Sequence, residues 1–225
     1  MKLSIIIPIY NEAEIIEKVQ IQLKMLKGNI EVIFVDGGSS DNSANLVSEP
    51  FRIISSEKGR ANQMNRGAIE SLGEVLFFMH CDSIFPSNLY QEIYDVIETY
   101  EAGYFGIKFD TDNFLMKCCQ FMSNLRAKKG IIFGDQGIFI KKKLFFELGM
   151  FPALPIMEDY QFSLNAKKMG IRFGNTKHKL ITSDRRFSGS NLHRLRVMYK
   201  MNRLRAKYRN GTDISEIAKC YRDIR

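Results

Sequence analysis

Five apolar residues, Val75-Leu76-Phe77-Phe78-Met79, stop abruptly at His80-Cys81-Asp82-Ser83. So short and so apolar a run predicts a strand buried on both faces. In an α/β sheet, ligands bind just beyond the carboxyl ends of the strands, where this one turns polar. If the backbone stays extended past Met79, His80 and Asp82 project to one side and Cys81 to the other. The plainer alternative is a polar strand end leading into a turn at Pro86.

Similar runs precede it. Leu3 to Ile9, residues 30–35 and residues 51–55 each predict a strand. Ile15, Ile16, Val19, Leu23 and Leu26 fall at helical spacing, and residues 59–72 give a second helical stretch. Ser39, Ser40 and Asp41 can cap a further helix between the second and third strands. Alternation of this kind implies a mixed, mainly parallel central sheet flanked by helices, a single Rossmann-like α/β domain. Beyond Pro86 the pattern loosens. Helices are expected over 89–97, 114–128, 144–148 and from Pro155 to Met169, and strands over 103–109 and 178–182. Residues 131–133 and 138–140 flank Gly134-Asp135-Gln136-Gly137, for which a hairpin turn is the plainer alternative to a polar segment facing a ligand.

The 225 residues suffice for one such domain, and 45% hydrophobic with 26% charged residues excludes a disordered chain. No stretch approaches a membrane span, and the apolar start is cut short by Pro8. Cys81, Cys118, Cys119 and Cys220 have no metal-binding spacing and are expected as reduced thiols in a cytoplasmic protein. The net charge is +8, yet residues 185–225 carry 12 Lys/Arg against 3 Asp/Glu. The basicity therefore belongs to the tail, and the body is about neutral.

Several motifs in order carry a resemblance. Ser4-Ile5-Ile6-Ile7-Pro8-Ile9-Tyr10-Asn11-Glu12, Val35-Asp36-Gly37-Gly38-Ser39-Ser40-Asp41, His80-Cys81-Asp82 and Glu158-Asp159 resemble family 2 glycosyltransferases of the GT-A fold. Gly59-Arg60-Ala61-Asn62-Gln63-Met64-Asn65 and Gly134-Asp135-Gln136-Gly137 look like one bacterial subgroup. The match runs over residues 3–187, which defines a GT-A domain (1–187) and a basic, amphipathic helical tail (188–225) packed on it. The resemblance implies transfer of a sugar from a nucleoside diphosphate sugar, UDP by default, to an acceptor hydroxyl on a sugar, lipid or small molecule. It also implies a divalent cation, Mn²⁺ or Mg²⁺.

Site residues follow from chemistry and resemblance together. Tyr10 could stack on a base beside Pro8, and Glu12 could accept from ribose hydroxyls. Asn11-Glu12 also read as a helix N-cap with a favourable first-turn acid. Asp36 can accept from base or ribose, with Gly38 letting backbone approach. Arg60 is a cation in the first turn of a helix, where it opposes the helix dipole unless an anion is bound. Arg60, Asn62 and Asn65 are assigned to the donor. Asp82 is the metal ligand, while His80 stands where the family usually has an acid, a substitution that favours Mn²⁺. Asp159 in Glu158-Asp159 is the expected general base of an inverting reaction, with Asp135 a rival. Arg185 or Arg186 could reach the diphosphate.

The tail adds a separate expectation. Over residues 191–209, Leu192, Leu195, Tyr199 and Ala206 form one apolar stripe and Val197, Met201, Leu204 and Tyr208 another, with Arg196, Lys200, Arg203 and Lys207 between. One stripe can pack on the body; the other then meets an anionic membrane surface, such as the inner membrane face, or a second subunit. Two other functions use some of the same features. A nucleotidyltransferase shares the sheet but wants a Gly-rich basic loop after the first strand, where Pro8-Ile9-Tyr10-Asn11 stands instead. An anion or nucleic-acid-binding module would explain the tail but not the acidic strand ends, so no nucleic acid partner is expected.

Overall fold

A computed structural model describes residues 1–183 and 187–222. Seven strands form one sheet in the order β3-β2-β1-β4-β6-β5-β7. They are β1 (Leu3–Ile9), β2 (Ile30–Asp36), β3 (Arg52–Ser55), β4 (Val75–Phe78), β5 (Ala102–Phe109), β6 (Ile138–Lys141) and β7 (Phe173–Thr182). The helices are α1 (Ala13–Lys24), α2 (Arg60–Glu70), α3 (Leu89–Ile97), α4 (Phe114–Lys128), α5 (Lys142–Glu147), α6 (Glu158–Lys168), α7 (Asn191–Arg209) and α8 (Ile214–Arg222).

Period-two side chains explain why the first strands are apolar throughout. Leu3, Ile5, Ile7 and Ile9 of β1 pack with Phe34 and Phe77 under α1 and α3, whereas Ile6 joins Ile33, Val35 and Phe78 on the other face. Helices cover both faces, so neither can be polar. Pairings β1–β2, β1–β4, β2–β3 and β5–β7 are parallel; only β6 runs against its neighbours. The chain's order reverses at β1, which has β2 on one side and β4 on the other. A ligand crevice forms at such a switch point.

Three expectations change. The link between β2 and β3 carries no α-helix, only a short 3₁₀ turn at Ser43–Leu46. Its polar residues serve α1 instead: Asn11 N–H donates to Ser39 Oγ, Glu12 N–H to Ser43 Oγ and Ala13 N–H to Asp41 Oδ2, at 2.8–3.0 Å. The Glu12 and Ala13 N–H groups are among the backbone donors that a helix start leaves unpaired, and Asn11 leads into them. Residues 131–133 are not a strand, so Gly134-Asp135-Gln136-Gly137 is no hairpin. Gly134–Gln136 is one 3₁₀ turn feeding β6, and β6 pairs with β4 and β5 because it fills the gap between them. Finally, α8 was not anticipated. Ile217 is fully buried with Leu204, Met157 and Tyr160, so α7 and α8 pack on the start of α6.

Glu92 on α3 fastens the far edge of the sheet. Its buried carboxylate accepts Lys177 N–H at 2.8 Å, His178 N–H at 3.2 Å and His178 Nδ1 at 2.7 Å. Burial pushes this carboxyl up, but the His178 side chain and the two backbone N–H groups outweigh it and hold it below the ordinary glutamate range. A lowered folded pKa gives stability that is complete above the unfolded value of about 4.3 and is lost as pH falls through the folded value. Glu92→Gln should therefore cost about 1–3 kcal/mol near pH 7. The gap to the wild type should close below about pH 4 in urea titrations run across the acid range.

Candidate active site

The mouth of the sheet exists because the strands end at different heights. β1 pairs with β2 as far as Ile9↔Asp36, but its ladder with β4 stops at Ile6↔Phe78. The last residues of β1 thus have one open edge. Pro8 stands on that stretch, where its missing N–H removes no bond to β4.

The loops at this mouth hold one another. Asp36 is 7% exposed, and its carboxylate accepts Gly38 N–H at 3.1 Å, Ser39 N–H at 3.1 Å and Ser39 Oγ at 2.6 Å. Those bonds tie down the loop itself. Gly38 has φ +84° with open space where a side chain would project, so conformation rather than crowding requires glycine there. Asn11 accepts Ser40 N–H at 2.8 Å, which engages its side-chain oxygen with the same loop. The α1 cap is Glu12, acting through its backbone and not its side chain. Tyr10 is partly exposed, and the Lys58 ammonium lies 3.8 Å from its ring centroid. Lys58 escaped the sequence reading because a lysine outside a helix pattern gives no local signal.

The α2 motif divides its labour differently from expectation. Gln63, 4% exposed, donates from Nε2 to both the Ile9 and Val35 carbonyls at 2.7 Å, stitching the ends of β1 and β2 to α2. Asn65 was assigned to the donor, yet its amide is clasped to Phe151, donating to the carbonyl at 2.7 Å and accepting N–H at 3.1 Å. Asn62 makes only a long bond to the Lys58 carbonyl, 3.4 Å. The Arg60 guanidinium lies 3.3 Å from Glu158, with over a third of its side chain exposed. Burial works against its charge, but Glu158 and Asp159 more than compensate, and Tyr221 of α8 adds a hydrogen bond.

Glu158 and Asp159, adjacent in sequence, occupy different environments. Glu158 is 3% exposed; burial pushes its carboxyl up and Asp159 adds to this, against the pull of Arg60. Asp159 Oδ2 accepts Gly134 N–H at 2.7 Å. The space above Gly134 is shared: a Cβ there would lie 2.8 Å from His80 Nε2 and 3.5 Å from Asp159 Oδ2. The end of β4, the turn before β6 and the start of α6 thus converge at one glycine.

His80–Ser83 is not extended. Ser83 N–H bonds to the His80 carbonyl at 3.2 Å, closing a turn. Cys81 is nevertheless buried in the core, while His80 and Asp82 are both partly exposed. Among the described residues no three His, Cys, Asp or Glu side chains gather as a metal cage. Asp82 with His80 nearby fits a cation whose remaining ligands come from phosphate and water, as Mg²⁺ and similar ions are often held.

Asp135 lies beside Arg126 of α4 and Arg205 of α7. Both guanidiniums approach the ring of Phe133, at 3.7 and 5.5 Å from its centroid. Burial and their mutual repulsion pull Arg126 below the ordinary arginine range. Neither arginine belongs to a motif, so only the packing of α4 and α7 reveals them. Arg185 and Arg186 lie outside the described residues.

Comparison with known proteins agrees with this geometry. The model of Glycosyl transferase family 2 matches residues 4–135, and the chain belongs to that family. A glycosyltransferase of Nostoc sp. is 30% identical over 108 residues, 44% of this chain and 34% of the relative. An undecaprenyl-phosphate 4-deoxy-4-formamido-L-arabinose transferase of Proteus mirabilis is 28% identical over 159 residues, 62% and 48% respectively. The chain spans about a third to a half of the length of these curated relatives. Among solved structures, a Pyrobaculum calidifontis mannosyltransferase in complex with GDP-Man and Mn²⁺ superimposes with TM-score 0.67 at 20% identity, covering 99% of this chain and 69% of that one. S. aureus TarS in complex with UDP-GlcNAc gives 0.67 at 19%, covering 90% and 67%. The sheet is thus the GT-A type of α/β fold.

Replacing Gln63 by Leu would remove a hydrogen bond from the Val35 carbonyl and one from the Ile9 carbonyl, which still accepts Gly37 N–H at 3.0 Å. At about 0.5–1.5 kcal/mol for each bond, Gln63→Leu should lower unfolding free energy by more than Asn62→Ala does, measured by urea denaturation.

Proposed function

We propose that this chain transfers a sugar from a nucleoside diphosphate sugar to an acceptor hydroxyl, inverting the anomeric centre. The convergence of His80, Gly134 and Asp159 carries the reading, because it sets a candidate base beside the strand end that carries Asp82. The donor lies across the ends of β1 and β2, its base by Tyr10 and its ribose by Glu12 and the loop that Asp36 holds. Arg60, with Asn62 close by, faces the diphosphate. A cation held by Asp82 and His80 would neutralise charge on the departing diphosphate; imidazole favours Mn²⁺ over Mg²⁺.

Asp159 takes the acceptor proton. The acceptor oxygen then bonds to the anomeric carbon as the bond from that carbon to the diphosphate oxygen breaks, and the nucleoside diphosphate leaves. One displacement needs one base and no covalent nucleophile. The Gly134 N–H fixes the carboxylate's orientation, and lone pairs remain for a substrate proton. Asp135, beside Arg126 and Arg205, would position a sugar hydroxyl. Glu158, closed off from solvent against Arg60, positions its neighbour. UDP is the favoured nucleotide from the family resemblance, although nucleotide sugars of both GDP and UDP accompany the similar structures. The name of the Proteus mirabilis relative pairs its sugar with undecaprenyl phosphate, which supports a lipid phosphate as an alternative acceptor to a hydroxyl.

Two substitutions separate the roles. Asp159→Asn should retain nucleotide-sugar binding by thermal shift while transfer falls by about 10²–10⁴-fold; full transfer would remove Asp159 from the mechanism. Asp82→Ala should abolish the increment that Mn²⁺ adds to nucleotide-dependent stabilisation. A panel of UDP, GDP, CDP and dTDP sugars, with and without Mn²⁺, identifies the donor.

A further inference from the structure

Two neighbouring helices expose far more apolar surface than their packing requires. Asn113, the cap of α4, donates to Asn191 at the start of α7 at 2.8 Å. At the other end Arg126 and Arg205 meet over Phe133. The helices therefore run side by side in the same direction. On α4, Phe114 is 75%, Phe121 66% and Met122 61% exposed; on α7, Leu192, Leu195 and Tyr199 are 49–66% exposed. The opposite stripe of α7, with Val197 and Leu204, is buried.

Charge gives this surface its character. Neither helix contains an Asp or Glu, while together they hold ten Lys/Arg. At 100° per residue, Arg196, Lys200 and Arg203 flank the exposed apolar stripe of α7 on the side away from α4. Beyond α4 lies a groove of about 260 Å³ against β7, lined by Phe121 and Leu125 and by Lys128, Lys177 and Lys179. An apolar strip bordered by cations on both margins fits an interface with anionic headgroups and acyl chains. It fits a second copy poorly, because a two-fold contact would set the same acid-free surface against itself.

We propose that the outer face of α4 and α7 docks on an anionic lipid bilayer. The apolar side chains enter the headgroup boundary and the flanking lysines and arginines meet the lipid charge. The same helices carry Arg126 and Arg205 to the rim of the candidate active site, so a docked bilayer lies alongside it. No helix among the described residues is long and apolar enough to cross a membrane; docking keeps the fold at the surface. The inference goes beyond the transfer reading, and its test needs no nucleotide sugar.

The test is flotation of the full chain with phosphatidylcholine vesicles, with and without phosphatidylglycerol, at low and high salt. Binding should require phosphatidylglycerol and weaken with salt. Phe121→Ser/Met122→Ser and Arg196→Glu/Lys200→Glu should each reduce it at least about tenfold while melting as the wild type does. Lack of flotation with anionic vesicles, equal binding to both vesicle types, or wild-type binding by both variants overturns the proposal. So does a dimer in solution that Phe121→Ser/Met122→Ser dissociates, since the face is then a contact between copies.

Discussion

β1 outruns β4, and the rest of the mouth depends on that difference. Had the two strands ended level, the sheet would present a flat edge with its carbonyls paired between neighbours. Instead the last residues of β1 keep a partner only in β2. Gln63 then reaches in from α2 to satisfy a carbonyl on each strand. The reversed strand β6 closes the other side, and its lead-in turn brings Gly134 under His80 and Asp159. Three segments far apart in the chain thus meet at a point where none leaves room for a side chain.

Acids and cations around this point are sorted by burial more than by sequence. Glu158 is enclosed and paired with Arg60; Asp159, one residue on, reaches the turn before β6. Asp135 sits with Arg126 and Arg205. In a low-dielectric setting such pairings are stronger than they would be in water. The C-terminal helices join this arrangement. Tyr221 reaches Arg60 from α8, and Arg205 arrives from α7, so the basic segment is both a wall of the site and an outer surface.

Particular residues mark how far a reading of the chain could go. The strands and most helices were legible because their periods are strong: β4 is apolar at every position, and α7 alternates two stripes. The reversed β6 was not, since Ile138-Phe139-Ile140 looks the same in either direction and only its neighbours fix its sense. Asp36, Asn11 and Asn65 were read as ligand contacts; Asp36 is engaged by the loop that it begins, and Asn11 and Asn65 by distant segments. A polar side chain near a strand end serves a ligand or a loop equally well until the loop's position is known. Gln63 stood inside a motif but was given no role, and Lys58, Arg126 and Arg205 gave no signal, because their importance lies in what they touch.

The sequence by itself determined the layered α/β architecture, the polar edge of the sheet and the set of motifs that meet there. It did so because buried strands, capped helices and family motifs are local patterns, written in consecutive residues. Tertiary structure alone decided the division of roles within those motifs: Gln63 over Asn65 as the stitch between strands, Glu158 as the buried acid and Asp159 as the partly buried one, Arg126 and Arg205 as neighbours of Asp135. It also decided which stripe of α7 is buried and that α4 adds its own apolar face beside the other. Hydrogen-bond partners and burial depend on distances between remote segments, and those distances are set only when the whole chain has packed.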